Sequence, residues 1–134
     1  MADLMKGKKI LVVDDDPDVL MAIKMALEDG GAAVLEAGDG VVAVEVAEKE
    51  QPDVVVLDMM LPKRGGFLVL ERIRKGKARG TPPHVVMITG NLGSRHKTYA
   101  ETLGVVDYIN KPFRMERLLK AIDKALTPPE AAPA

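Results

Sequence analysis

Two short runs of uninterrupted apolar, mostly β-branched residues each stop dead at an acidic residue. Ile10-Leu11-Val12-Val13 runs into Asp14-Asp15-Asp16-Pro17, and Val54-Val55-Val56-Leu57 runs into Asp58. A strand with one face in water alternates apolar and polar residues. Runs without polar breaks belong to strands covered on both faces, as in the interior of a parallel sheet. That reading limits the chain to an α/β architecture, with helices above and below the sheet. It also places the aspartates, because parallel sheets collect their chemistry at the carboxyl ends of the strands. Two carboxylates about 5 Å apart repel by about 3 kcal/mol at an effective dielectric near 20. A pocket holding several of them needs a proton, a lysine or a divalent cation.

The rest of the chain alternates in the same way. Lys8–Val13 is expected as the first strand. Asp16 is placed to cap the helix that follows, with Pro17 at its first position, where a missing N–H costs nothing. Leu20, Ile23 and Leu27 share a face of that helix, Lys24 and Glu28 form an i,i+4 pair, and Gly30-Gly31 ends it. Ala32–Ala37 is the second strand. Asp39 caps a second helix with Val42, Ala43 and Val46 turned inward, and Asp53–Asp58 is the third strand. A loop over Met59–Gly66 leads to a third helix at about Phe67–Lys75. After the Gly76–Pro83 loop, His84–Thr89 is the fourth strand. A weaker helix over Ser94–Leu103, stopped by Gly104, precedes the fifth strand, Val105–Ile109. Met115, Leu118, Leu119, Ile122 and Leu126 mark an amphipathic last helix.

Five strand–helix units point to a doubly wound five-stranded parallel sheet with five helices and strand order 2-1-3-4-5. In that order the first and third strands are neighbours. Asp14, Asp15 and Asp58 then converge in one crevice, faced by Thr89 from the fourth strand and Lys111 just past the fifth.

Size and charge narrow the function. The 134 residues make one domain with a sizeable core, 47% of them apolar, although only Phe67, Phe113, Tyr99 and Tyr108 are aromatic. The formal charge of −1 provides no overall field for nucleic acid or an anionic membrane. The absence of cysteine excludes disulfides, thiolate zinc and thiol catalysis. The basic Lys6, Lys8 and Lys9 are followed by only four apolar residues, so the start does not read as a signal peptide, and no segment approaches a membrane span. The reading is a soluble, cytoplasmic protein without direct nucleic-acid or membrane contact. Residues 1–126 are taken as the folded domain, and the Pro/Ala-rich residues 127–134 as a disordered tail or the start of a linker. His84 and His96 are read as surface residues, and the eight Met as core filler rather than a binding face.

The acidic pair Asp14-Asp15, the lone Asp58, Thr89 at the end of the fourth strand and Lys111-Pro112-Phe113 after the fifth resemble the receiver domain of bacterial response regulators, over about Lys8 to Leu126. The four motifs stand in order, each at a strand terminus. The resemblance implies a flavodoxin-like fold and a phosphoryl group passed from a histidine kinase or phosphotransfer protein to Asp58, with Mg²⁺ required. It implies that Asp15 and Asp58 bind the ion directly, Asp14 largely through water, and the Met60 backbone carbonyl completes the protein's share. Lys111 and Thr89 then contact phosphoryl oxygens, and a cis peptide before Pro112 turns the ammonium inward. Thr89 and Tyr108 are the implied switch residues. They alter a face made by the fourth helix, fifth strand and fifth helix, with His96, Lys97, Tyr99, Val105, Tyr108 and Arg117 as candidate contacts to a downstream protein or a second copy.

The sequence departs from the family pattern in places. Arg64-Gly65-Gly66 replaces a polar pair, Gly90 stands where alanine is common, and Arg114 opens the last helix without a capping side chain. Met60 and Asn91 flank the site at positions that tune acyl-phosphate lifetime in the family, and apolar Met60 is expected to hinder water. Two other readings compete. A haloacid-dehalogenase-like phosphatase needs a second acid two residues after its nucleophile, where this chain has Met60. A receiver-fold interaction module without phosphorylation would have no use for the full set of site residues.

Overall fold

The computed structural model describes residues 4–61, 65–78, 80–90 and 94–127, with the side chains of 94–96 excepted. The elements are β1 (Lys9–Val13), α1 (Pro17–Asp29), β2 (Ala33–Ala37), α2 (Gly40–Glu50), β3 (Val54–Asp58), α3 (Gly66–Arg74), β4 (His84–Thr89), α4 (Ser94–Thr102), β5 (Asp107–Asn110) and α5 (Met115–Leu126). The sheet is parallel throughout, in the order β2-β1-β3-β4-β5, as expected.

Strand alternation divides the core in two. Leu11, Val13, Val55, Leu57, Val85 and Met87 face α2, α3 and α4. Ile10, Val12, Val54, Val56, Val86 and Ile88 face α1 and α5. This explains the unbroken apolar runs, since both faces of each central strand lie under helices. The caps follow from local chemistry. Asp16 accepts the Asp18 N–H at 2.9 Å, and Asp39 accepts the Val42 N–H at 2.9 Å. Arg114 leads into α5 without a side-chain cap.

Several expectations need correction. In α2, Val42 faces solvent and Val46 is only partly buried, while Val44 and Ala47 join Ala43 inside. Nearly every early residue of that helix is apolar, so its sequence did not specify the phase of the buried stripe. Lys24 makes its ion pair across to Glu36 on β2 at 3.1 Å, with Glu28 on its own helix adding a weaker attraction. The fifth strand begins at Asp107 rather than Val105, although the Val106 N–H already donates to the Val85 carbonyl at 2.8 Å. The methionines are split: Met5, Met59 and Met87 are buried, whereas Met21, Met25 and Met60 are among the most exposed large apolar residues.

His84, read as a surface residue, is half-buried because it opens a central strand with neighbours on both sides. Burial lowers its pKa below the ordinary histidine value, Arg74 lowers it further, and Asp53 opposes both. A histidine that resists protonation when folded lends stability that is fully present above the unfolded value, about 6.5, and is lost as pH falls through the folded value. His84→Asn should therefore flatten the decline in denaturation midpoint of the metal-free protein between neutral and mildly acidic pH. Equal slopes for the two proteins would refute this. The expected tail, Arg64, Asn91 and the His96 side chain lie outside the described residues, apart from Thr127 at the start of the tail.

Candidate phosphoryl-transfer site

The strand order brings the acidic residues together. β1 and β3 are adjacent, with Val13 opposite Leu57, so the residues that follow both strands emerge side by side. A carboxylate oxygen from each of Asp14, Asp15 and Asp58 can be chosen so that all lie within 4.8 Å of one another. Asp14 and Asp58 are only 1% and 3% exposed, while Asp15 is open to solvent. The turn after β1 is braced by one of its own carboxylates, since Asp14 Oδ1 accepts the Asp16 N–H at 2.9 Å. Asp58 Oδ1 accepts the Met60 N–H at 3.1 Å.

One cation serves both buried acids. Lys111 Nζ lies 3.0 Å from Asp14 Oδ2 and 3.4 Å from Asp58 Oδ2. The Lys111–Pro112 peptide is cis, as is Pro82–Pro83, which the sequence did not suggest. Burial pulls Lys111 toward the neutral form, but its hydrogen bond to Asp14 and the charge of both carboxylates outweigh that and raise its pKa. Burial raises Asp58 above the usual carboxylate range; Asp14 adds to the rise, and the Met60 N–H and Lys111 oppose it. The fold therefore carries an ionised Asp58 at a cost that a proton, or a second positive charge, would relieve.

Thr89, at the end of β4, is fully buried. Tyr108 is also buried, not turned to solvent. Its hydroxyl donates to Met59 Sδ at 3.6 Å, and the Thr89 side chain hydrogen-bonds to it as well. The inferred switch pair is thus already in direct contact, and Tyr108 also touches the residue next to Asp58. The sequence held no signal for Met59, since a single methionine after a strand is equally at home in a core.

Gly66 is a second feature whose role was not foreseen. Its N–H donates to the Met59 carbonyl at 2.9 Å. A β-carbon placed on it would meet Met59 Cα at 2.5 Å and the Asp58 carbonyl oxygen at 2.7 Å. The start of α3 thus rests directly on the backbone of the buried aspartate.

Residues 10–123 match the family model for the response regulator receiver domain. The chain belongs to the response-regulator receiver family. It is 36% identical over 114 residues to the DNA-binding dual master transcriptional regulator RpaA of Synechocystis, covering 85% of this chain and 47% of that protein. It therefore spans about half the length of that relative. It is 34% identical over 118 residues to the protein PilH of Pseudomonas aeruginosa, covering 88% of this chain and 97% of that one. Among solved structures, a CheY-like receiver domain protein from Methanospirillum hungatei superposes with a TM-score of 0.82 at 30% identity, over 90% of this chain and 94% of that one. Receiver domains work in two-component signalling by phosphorylation, with histidine kinases or phosphotransfer proteins as partners and Mg²⁺ at an acidic cluster. They are signalling proteins rather than classical enzymes. Among the described residues, no helix is long and apolar enough to cross a membrane.

The cluster suits that ion. Mg²⁺ prefers hard oxygen ligands and keeps several waters, typically taking one or two carboxylates from the protein. Two buried carboxylates and one exposed one, with their oxygens within 4.8 Å and a single lysine between the buried pair, form such a donor set.

Proposed function

We propose that this receiver accepts a phosphoryl group on Asp58 and catalyses that transfer from a donor, together with the later hydrolysis. The observation that carries the proposal is the convergence of Asp14, Asp15 and Asp58 around the Lys111 ammonium. Asp15, Asp58 and the Met60 backbone carbonyl would hold Mg²⁺, with Asp14 acting largely through water. When bound, the ion supplies the positive charge that offsets the donor's phosphoryl oxygens.

The chain's own residues do the rest. An Asp58 carboxylate oxygen attacks phosphorus. The new P–O bond forms as the P–N bond to the donor imidazole breaks, and the imidazole leaves with the electron pair and takes up a proton. The Lys111 ammonium turns from its carboxylate partners to a phosphoryl oxygen. The Thr89 hydroxyl exchanges Tyr108 for another. Positioning and charge neutralisation are most of what this reaction requires.

The product carries up to two negative charges in a pocket that already strains to hold carboxylates. The resulting shift of Thr89 and Tyr108 would be read on the face formed by α4, β5 and α5. A downstream protein or a second copy is the proposed reader there. Residues 1–126 form the proposed receiver unit, residues 127–134 a tail or linker, and the cytoplasm is the proposed location.

Incubation with acetyl phosphate and Mg²⁺, followed by intact-mass measurement, tests the assignment. A gain of one phosphoryl group that is absent in Asp58→Asn and without Mg²⁺ is expected. No gain in the parent protein, or an undiminished gain in Asp58→Asn, would overturn it. Met60 also stands where a haloacid-dehalogenase-like phosphatase would carry its second acid, so turnover of phosphomonoesters is not expected. Met60→Asn should hydrolyse the acyl phosphate severalfold faster, because an amide can hold the attacking water where a thioether cannot. An unchanged decay rate would remove Met60 as a determinant.

A further inference from the structure

Among the described side chains, those of α4, the helix nearest the switch, are the least held by the core. Of the α4 side chains described, Ala100 alone is fully buried, while Lys97, Thr98, Tyr99, Glu101 and Thr102 are exposed. Its main packing on the sheet is against β5. A single methyl group contributes little burial free energy, so α4 depends on contacts outside the core to fix its position. Tyr99 makes such a contact. The Tyr99 ring sits edge-on against Phe67, with centroids 5.2 Å apart and planes at 63°. The Tyr99 hydroxyl donates to Glu71 Oε2. Phe67 and Glu71 are one turn apart on α3, so a single side chain grips two points of the neighbouring helix.

Both ends of this contact lead to the phosphoacceptor. α3 begins at Gly66, seated on the backbone of Asp58 and Met59. α4 begins at Ser94, five residues after Thr89. Gly90 intervenes, with no described residue within 4 Å of where its β-carbon would be. A displacement of Thr89 toward a phosphoryl group would therefore pull on the start of α4, while α3 stays fixed to the strand that carries the phosphoryl group. Tyr99 is a side-chain link between the part that moves and the part that does not.

We propose that Tyr99, Glu71 and Phe67 form a catch that holds α4 against α3 in the unphosphorylated protein and opens on phosphorylation, so that it sets how readily the receiver is modified. This rests on the phosphoacceptor reading above. A contact made in one state and lost in the other biases the equilibrium by its own free energy, and by linkage it weakens whatever ligand favours the other state. Removing the catch should favour the phosphorylated form.

Two measurements on the full chain test this. The first is amide hydrogen exchange of the unmodified protein. Tyr99→Phe and Glu71→Ala should each speed exchange in α4 while leaving the central strands unchanged. Glu71→Gln keeps an acceptor and should behave as the parent. The second is the apparent affinity for beryllofluoride, a phosphoryl mimic, in the presence of Mg²⁺, followed by calorimetry. It should rise about fivefold in Tyr99→Phe and Glu71→Ala. It should rise no further in the double variant, because both substitutions break the same bond. If the parent protein binds beryllofluoride but the variants bind it equally or more weakly, or if α4 exchange is unmoved, the catch is refuted and the phosphoacceptor assignment stands. If the parent protein takes neither beryllofluoride nor a phosphoryl group, the phosphoacceptor assignment fails and the regulatory role of the catch falls with it.

Discussion

Replacing Gly66 with alanine should destabilise the protein by about 3 kcal/mol, the upper end for overpacking a tight site, and should impair phosphoryl acceptance as well. The atoms a new methyl group would strike are Met59 Cα at 2.5 Å, the Asp58 carbonyl oxygen at 2.7 Å and the Met59 carbonyl oxygen at 2.8 Å. All three belong to backbone, so no side chain can rotate away. Either α3 lifts from the sheet, exposing Val69, Leu70 and Ile73, or the end of β3 shifts and takes Asp58 with it. Both routes weaken the Gly66 N–H to Met59 carbonyl bond. Gly65, whose β-carbon would meet no described residue within 4 Å, is the control. Gly65→Ala should be close to neutral in denaturant midpoint and in the yield of the acyl phosphate. Equal behaviour of the two variants would show that the close approach at Gly66 is not a constraint.

Lys111→Met should lower the stability of the metal-free protein by about 2 kcal/mol at neutral pH, within the range for a buried charged group left without its partner. Methionine keeps the length and apolar stem of lysine, so the change isolates the ammonium. Its removal leaves Asp14 and Asp58 buried and facing each other with no cation between them. Lys111 is itself 28% exposed, which keeps the expected loss below that of a fully buried pair. The second half of the expectation concerns Mg²⁺. Any ligand that binds the folded state alone stabilises it by about 2.7 kcal/mol at a hundredfold excess over its dissociation constant. With Lys111 gone, the competing positive charge is gone too, so the variant should bind Mg²⁺ more tightly than the parent and regain more stability from it. Chemical denaturation of both proteins, with Mg²⁺ and with chelator, measures this. An identical Mg²⁺ increment in the two proteins would mean that Lys111 and the ion do not share the same carboxylates. The variant should still fail to hold a phosphoryl group well, since an ammonium contact to phosphoryl oxygen has been lost.

Much of the site was legible in the sequence because the information was local. A strand covered on both faces shows as an unbroken apolar run, and residues that end such runs must lie at one edge of the sheet. Asp14, Asp58 and Thr89 could be placed that way, and Lys111 by its position just past β5. Where neighbouring elements decided the outcome, the sequence was silent or misleading. The inward face of α2 could not be chosen among its many apolar residues, so Val42 was assigned to the wrong side. His84 was taken for a surface residue because its cover comes from the sheet around it. Met59 against Tyr108, Tyr99 against Glu71 and Phe67, and Gly66 against Asp58 join residues that no periodicity connects.

The order of strands and helices, their caps and the acidic ends of β1 and β3 were determined by the sequence alone, since each depends on polarity and backbone preference within a few residues. The tertiary structure alone decided that one lysine bridges two buried aspartates, that Tyr108 lies inside rather than in solvent, and that a glycine supports the phosphoacceptor backbone. The physical reason is range. Burial along one element is written in its own period, but a contact between two elements depends on the distance and angle at which they pack, and that geometry is set by the whole core.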